Sequence, residues 1–215
     1  MLHQRVIEHL LSRPPLLYRV GFPGARWRIP SMEGKSIYLT FDDGPIPEVT
    51  PWVLDHLDRY GIKATFFCVG ENVLKHPHIF RELLERGHRV GNHTHHHIKG
   101  LTTPTDAYIE DVLRADALIG SHYFRPPYGH LHPSQVRKLN HHFEIIMWDL
   151  VTRDYNPDLS AKDVFRTVCR YARNGSIIVF HDSLKSWPRL QEALPQSIEW
   201  LLQEGYTFRR IGDAP

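Results

Sequence analysis

The sequence predicts a single-domain α/β fold in which parallel strands close, or nearly close, into a barrel. Three observations predict it. Seven short β-rich runs alternate with five or six helical stretches. Several runs are almost wholly apolar, as strands buried on both faces are. The polar residues capable of chemistry gather at the carboxyl ends of the strands, which in a parallel barrel share one mouth.

The strands read as 36–41 (SIYLTF), 64–70 (ATFFCVG), 88–94 (HRVGNHT), 123–129 (YFRPPYG), 143–150 (FEIIMWDL), 176–182 (SIIVFHD) and 206–212 (YTFRRIG). Each is rich in β-branched or aromatic residues and bounded by turn signals. Between them, 47–61, 71–87, 105–120, 160–175 and 189–205 read as helices. Most start near Ser, Thr, Asp or Pro, and all end at Gly. The segment 132–142 is a shorter, weaker helix candidate. No repeat, low-complexity tract or interdomain linker interrupts this order. Residues 1–35 read as an N-terminal extension packed on a main domain spanning 36–215.

Composition narrows the class. At 215 residues, 41% hydrophobic and 23% charged, the chain is an ordinary globular domain. A net charge of +2 with no Lys/Arg stripe gives no footprint for nucleic acid. Cys68 and Cys169 lack CxxC spacing and read as reduced. The N-terminal 20 residues are broken by Glu8, His9, Arg13 and two prolines, so no apolar signal-peptide core or membrane span is found. That favours the cytoplasm. Six Lys/Arg against two Asp/Glu over 1–35 would allow contact with an anionic membrane surface, but packing on the domain is the stronger expectation. Oligomeric state is not legible.

Histidine is the outlier, at 16, with four of the five positions from 93 to 97. His93 and His97 have the four-residue spacing that can place two imidazoles on one side of a helical turn, and with a carboxylate from elsewhere they would make a three-ligand site with open positions. The metalloprotease pattern HExxH is absent. In TFDDGP (40–45), one of two adjacent carboxylates can bind metal while its neighbour stays free as a base. A helix cap beside a solvated neighbour is the plain alternative. Taken alone, RPPYG (125–129) reads as a rigid turn, and His181 as a strand-end residue.

Together and in order, TFDDGP, HTHHH as H-[S/T]-x-x-H, RPPYG, and VFH in place of L-x-H resemble the polysaccharide deacetylase (NodB-homology) family, carbohydrate esterase family four. The resemblance covers about residues 36–212 and implies a distorted seven-stranded (β/α) barrel. It implies Asp43, His93 and His97 as metal ligands, because only His93 is followed by Thr (Thr94); His95 and His96 are then spare. Zinc is the implied ion, with cobalt or nickel also admissible. Asp42 would be the general base for the attacking water, and Arg125 would orient it and favour its charged form. The Tyr128 backbone N–H would help hold the oxyanion. His181 would protonate the leaving amine, with Asp154 as its charged partner. Tyr155, Val179 and Pro127 are expected to line the substrate pocket.

One motif departs. Where the family carries D-x-x-D-W, this chain has VTRDY: Val151 replaces the first Asp, Asp154 keeps the second, and Tyr155 replaces Trp. Pocket size and selectivity are where that departure would act. The expected activity is removal of N-acetyl groups from an N-acetylglucosamine-type sugar, such as peptidoglycan or a chitin-like polymer. The rivals are an O-acetyl esterase and a catalytically silent carbohydrate- or metal-binding protein.

Overall fold

The period of two along β1 (Lys35–Asp42) divides its side chains between two environments. Ile37, Leu39 and Phe41 face outward into the large core beneath the helices. Tyr38 faces inward, into a smaller cluster with Phe67, Tyr123, Ile146, Ile177 and Ile211 that fills the barrel. The same parity sends Thr40 and then Asp42 up the inner wall toward the mouth. The computed structural model describes residues 12–213.

The remaining strands are β2 (Thr65–Cys68), β3 (Arg89–Asn92), β4 (Tyr123–Phe124), β5 (Glu144–Ile145), β6 (Leu150–Val151), β7 (Ser176–His181) and β8 (Tyr206–Arg209). All pair in parallel, in the order β5-β4-β3-β2-β1-β7-β6, with β8 beside the first half of β1. β5 and β6 are the two ends of one predicted run, 143–150. Its front pairs with β4 and its rear with β7, so this run joins the two ends of the curled sheet and distorts the barrel. The interruption is physical: Met147 N–H donates to Arg26 of the N-terminal segment, and Asp149 N–H to Ile177.

The described helices are α1 (Leu16–Arg19), α2 (Thr50–Arg59), α3 (Gly70–Lys75), α4 (Pro77–Glu85), α5 (Thr105–Ile119), α6 (Pro133–Leu139), α7 (Ala161–Tyr171) and α8 (Trp187–Gln203). The helix expected over 71–87 is two, α3 and α4. Pro77 has no N–H to donate, and the residue before it is driven out of helical geometry (His76 φ −129°, ψ 55°). α7 begins with the reciprocal Ser160–Asp163 cap that its sequence encodes. Among the described residues no helix is long and apolar enough to cross a membrane.

Residues 12–35 run along the barrel, bridging Arg26 to Ile146 and Arg28 to Ser176, and bury Phe22, Trp27 and Ile29. Asp149, fully buried, receives Arg13 (3.3 Å), Arg19 (3.4 Å) and Arg173 (2.5 Å), and Ser176 Oγ at 2.8 Å. That carboxylate ties the segment down. The expectation of a membrane-facing extension falls partly on residues 1–11, which lie outside the described residues. Both cysteines are free.

Candidate active site and metal centre

Asp42 and His181 are register partners on neighbouring strands, the last residues of β1 and β7. Inward parity therefore delivers a carboxylate and an imidazole side by side at the barrel mouth. They line a cavity of about 680 Å³ together with Asp43, His93, His97, Tyr128, Tyr155 and Val179.

Adjacent aspartates diverge because the chain turns between them. Asp42 is still in the strand, whereas Asp43 has φ 86° in the left-handed region. The turn is braced by fully buried Asp182, which accepts from Gly44 N–H (3.1 Å) and Thr50 Oγ (2.6 Å). Glycine is required at 44, since a Cβ there would meet Asp182 Oδ2 at 2.0 Å. Burial pushes the Asp182 carboxyl up to about 8.

Asp42 Oδ1 accepts from Arg125 Nη1 at 2.7 Å. The guanidinium is fully buried and held on all sides. It donates also to Thr40 Oγ1 (2.8 Å) and to the Ile146 and Met147 carbonyls (3.1 and 3.0 Å), and lies over the Phe67 ring at 4.0 Å. A planar fork suits these several acceptors where an ammonium would not. Asp42 is thus fixed, with one oxygen committed to Arg125.

The ligand set expected from the sequence converges. Single atoms of Asp43, His93 and His97 lie within 4.8 Å of one another, with Asp43 Oδ1 at 3.2 Å from His97 Nε2 and 3.9 Å from His93 Nε2. Tetrahedral zinc with bonds of about 2.0–2.1 Å sets its ligand atoms about 3.3 Å apart, so the Asp43–His97 pair already has the spacing and the wider pairs must draw in around the ion. Asp43 Oδ1 is buried and takes no hydrogen bond of good geometry, as an oxygen reserved for a cation would be. His93 Nδ1 donates to the Arg125 carbonyl at 2.7 Å, which leaves the Nε2 lone pair for the site. Burial holds the His93 imidazole down to about 4, hence neutral as a ligand must be. Burial alone would raise the Asp43 carboxyl, but the close imidazole of His97 and the nearby His181 and His93 hold it well below the usual range. The three residues fit a divalent ion.

The route to this convergence differs from the expected helical turn. Residues 93–97 form a bend in which Thr94 (φ 64°) and His97 (φ 54°) are left-handed, and the His93 and His97 rings end 5.1 Å apart. Asp111, which the sequence reading passed over, holds the bend: its Oδ2 accepts from the N–H groups of His95 (2.8 Å) and His96 (3.1 Å). Its Oδ1 meets His96 Nδ1. Asn92 Oδ1 takes the Thr94 N–H at 2.9 Å. His95 is buried and His96 turns to Asp111, so neither joins the trio.

His181 Nδ1 lies 2.7 Å from Asp154 Oδ1, and Asp154 Oδ2 accepts from the His181 backbone N–H at 2.8 Å. Burial would lower the imidazole, yet Asp154, with help from Asp43 and Asp42, raises it to about 9. Tyr155 sets its ring edge-on to His181 at 5.0 Å, and Tyr128 does the same to His97 at 4.9 Å. Val179 and Val151, paired across β6 and β7, both line the cavity. Pro127 does not. It is buried, and Pro126 lies at the wall instead.

Other wall residues had no local signal: Trp148, Lys185, and Pro14, Pro15 and Tyr18 from the N-terminal segment. The Tyr18 hydroxyl donates to the Gly129 carbonyl, closing that side. The one available hint was Asp149, a lone charge inside an apolar run, which marks a buried partner for arginines.

Residues 30–146 match the polysaccharide deacetylase family. A peptidoglycan-N-acetylglucosamine deacetylase of Bacillus cereus is 30% identical over 196 residues, covering 87% of this chain and 91% of the relative. The corresponding enzyme PgdA of Listeria monocytogenes is 34% identical over 185 residues, but this chain spans only 38% of its length. Among solved structures, the Bc1960 peptidoglycan N-acetylglucosamine deacetylase superposes with TM-score 0.83 at 28% identity, covering 92% of this chain and 94% of that one. The fold also serves BA3943 of Bacillus anthracis, a family pseudoenzyme (TM-score 0.76, 25% identity, 88% of this chain and 68% of that one). Fold alone therefore does not carry activity. The matched sequence, the shared barrel and the Asp-His-His cluster at its mouth lead to one assignment: the chain belongs to the polysaccharide deacetylase family, carbohydrate esterase family four.

Proposed function

We propose that this protein is a divalent-metal-dependent hydrolase that removes the N-acetyl group from an N-acetylglucosamine-type sugar, releasing acetate. The observation that carries the reading is the separation of roles at one mouth. Asp43, His93 and His97 converge on a point, while Asp42, adjacent in sequence, is turned to Arg125 and left out of the trio. Zinc suits the donor set best, and cobalt or nickel would also fit it. Bound there, the ion supplies a Lewis acid for the acetyl carbonyl and eases deprotonation of water.

The chain's own groups do the rest. Asp42 takes the proton of the attacking water, its carboxylate fixed by Arg125. The Tyr128 N–H donates to the oxygen that gains charge as the carbonyl carbon becomes tetrahedral. His181, kept protonated by Asp154, gives its Nε2 proton to the departing nitrogen. Positioned acid–base groups of this kind contribute about 10²–10⁴-fold. Val151 and Val179 offer an apolar wall for the acetyl methyl.

The acid favours an amide over an ester. An amine leaves poorly unless protonated, and the His181–Asp154 pair raises the imidazole well above its ordinary value, to about 9. The relatives are named for peptidoglycan N-acetylglucosamine, and an acetylated glycan is the substrate class proposed here. The test is to count acetate and free amine together on N-acetylated and O-acetylated glycans, with zinc content measured beside them. Equal acetate and amine supports the reading. Acetate without amine would make the protein an esterase, and neither product a silent member of the family.

A further inference from the structure

One wall of the mouth comes from outside the barrel. The N-terminal strap, residues 12–35, bridges Arg26 to Ile146 and Arg28 to Ser176, across the seam where β5 and β6 part. Its first residues send Pro14, Pro15 and Tyr18 into the lining of the cavity, together with Trp148 and His130. All three precede residue 30, so this wall lies outside the segment that carries the family match.

Tyr18 latches this wall to the RPPYG loop. Its hydroxyl donates to the Gly129 carbonyl, and its ring packs on Phe22 at 5.4 Å and Trp27 at 6.0 Å. Burial pushes that hydroxyl up to about 12, so it remains a donor. Glycine at 129 permits the approach: a Cβ there would meet Trp148 at 2.5 Å and the Tyr18 hydroxyl at 3.2 Å. On either side of Tyr18 in the chain, Arg13 and Arg19 reach buried Asp149. The strap is thus tied at its latch and on both flanks.

A glycan that runs through a site needs it open on two sides, because an internal sugar carries a neighbour at each end of its ring. Here the strap and Trp148 close one side, and Tyr155 stands on another, edge-on to His181. A cavity of about 680 Å³ is of the size that buries a drug-sized ligand, which is one or two sugars and not a chain.

We infer that Tyr18 is a specificity-determining residue: the strap it latches admits the end of an acetylated glycan, or a short acetylated sugar, and excludes an internal unit. This rests on the deacetylase reading for the acetamide and adds which unit of the glycan reaches the metal trio. The selection is steric, since a wall set against the wrong substrate discriminates without any contact to the right one.

The test is calorimetric binding to the zinc-loaded full chain. The probes are glucosamine tetrasaccharides with a single N-acetyl group, placed on the first, the last or an inner unit. These isomers have equal charge and differ only in where the acetamide sits. The wild type should bind one end isomer at least about tenfold more tightly than the inner one, the scale of a clash forced into a packed wall. Tyr18→Ala removes ring and latch, and should tighten the inner isomer until the preference is lost. Tyr18→Phe keeps the ring on Phe22 and Trp27 and loses only the hydroxyl, so it should stay folded and narrow the preference. Equal binding of inner and end isomers by the wild type, binding of none of them, or a preference that both variants keep intact would overturn the inference. Acetate release is scored separately. An end preference without turnover would defeat the hydrolase reading alone, and turnover without the preference would defeat this inference alone.

Discussion

Asp154 holds His181 twice, at the ring Nδ1 (2.7 Å) and at the backbone N–H (2.8 Å), with one carboxylate oxygen for each. Such a clamp fixes both the orientation of the imidazole and its charge. With the carboxylate present the imidazole titrates at about 9, and without it the burial that opposes the charged form prevails. An acid must hold its proton, so the alkaline limb of the rate profile follows His181. Asp154→Asn should move that limb to lower pH and reduce the maximum while metal stays bound. The measurement is kcat/KM against pH on an N-acetylated sugar. An unmoved limb would remove Asp154 from the role.

The four histidines of 93–97 should divide in two. His93→Ala or His97→Ala should each abolish tight stoichiometric metal binding, because each supplies a ligand atom to the trio. His95→Ala and His96→Ala should leave it largely intact, since Asp111 holds this bend through backbone N–H groups that the substitutions keep. Metal analysis of the four purified variants decides it, and equal losses would show an unspecific cluster.

Acid stability should depend on a histidine far from the chemistry. His88 accepts the Ala64 N–H at Nδ1 (3.1 Å), and burial holds its imidazole down to about 4 from an ordinary 6.5. As pH falls through 6.5 the unfolded chain takes up a proton that the folded chain refuses until about 4. Stability is therefore lost across that window, and this contribution changes no further below it. The full shift corresponds to about 3 kcal/mol. His88→Asn retains an acceptor and should flatten the loss between pH 6.5 and 4.5 in urea unfolding. Parallel pH dependences for the two proteins would contradict the assignment.

Asp149 should be the most costly single surface-to-barrel tie. Replacing it by Asn leaves Arg13, Arg19 and Arg173 facing a neutral amide in a buried position. Removing one partner of a buried pair typically costs about 3–5 kcal/mol, and about 2–4 °C of melting temperature goes with each kcal/mol at this chain length. Thermal unfolding of Asp149→Asn should therefore show a fall of roughly 6–20 °C. A fall of only a degree or two would mean the arginines are solvated without it.

Much of this was legible because the period of a strand is local. The alternation in SIYLTFD predicts which residues enter the barrel, and β7 repeats it, so Asp42 and His181 follow from sequence. The break between β5 and β6 was not legible, because it depends on Arg26, over 100 residues away, taking a hydrogen bond inside an apolar run. The split at His76 is encoded in Pro77, whose ring drives the residue before it out of helical geometry. The bend at 93–97 has helical spacing without a helix, since Asn92 and Asp111 supply hydrogen bonds that a helix would make itself. Lys185, Trp148 and Tyr18 reach the wall through tertiary packing that no short pattern encodes.

The central claim is that two adjacent aspartates have different tasks, one holding metal and one moving a proton. The direct measurement is zinc content and acetate release from an N-acetylated glycan by the wild type, Asp42→Asn and Asp43→Ala, purified alike. The wild type should hold one zinc per chain and turn over. Asp42→Asn should hold the same zinc and lose at least about 10²-fold in kcat, and Asp43→Ala should lose the zinc itself. An active Asp42→Asn enzyme, or an Asp43→Ala protein that still binds zinc tightly, would contradict the account.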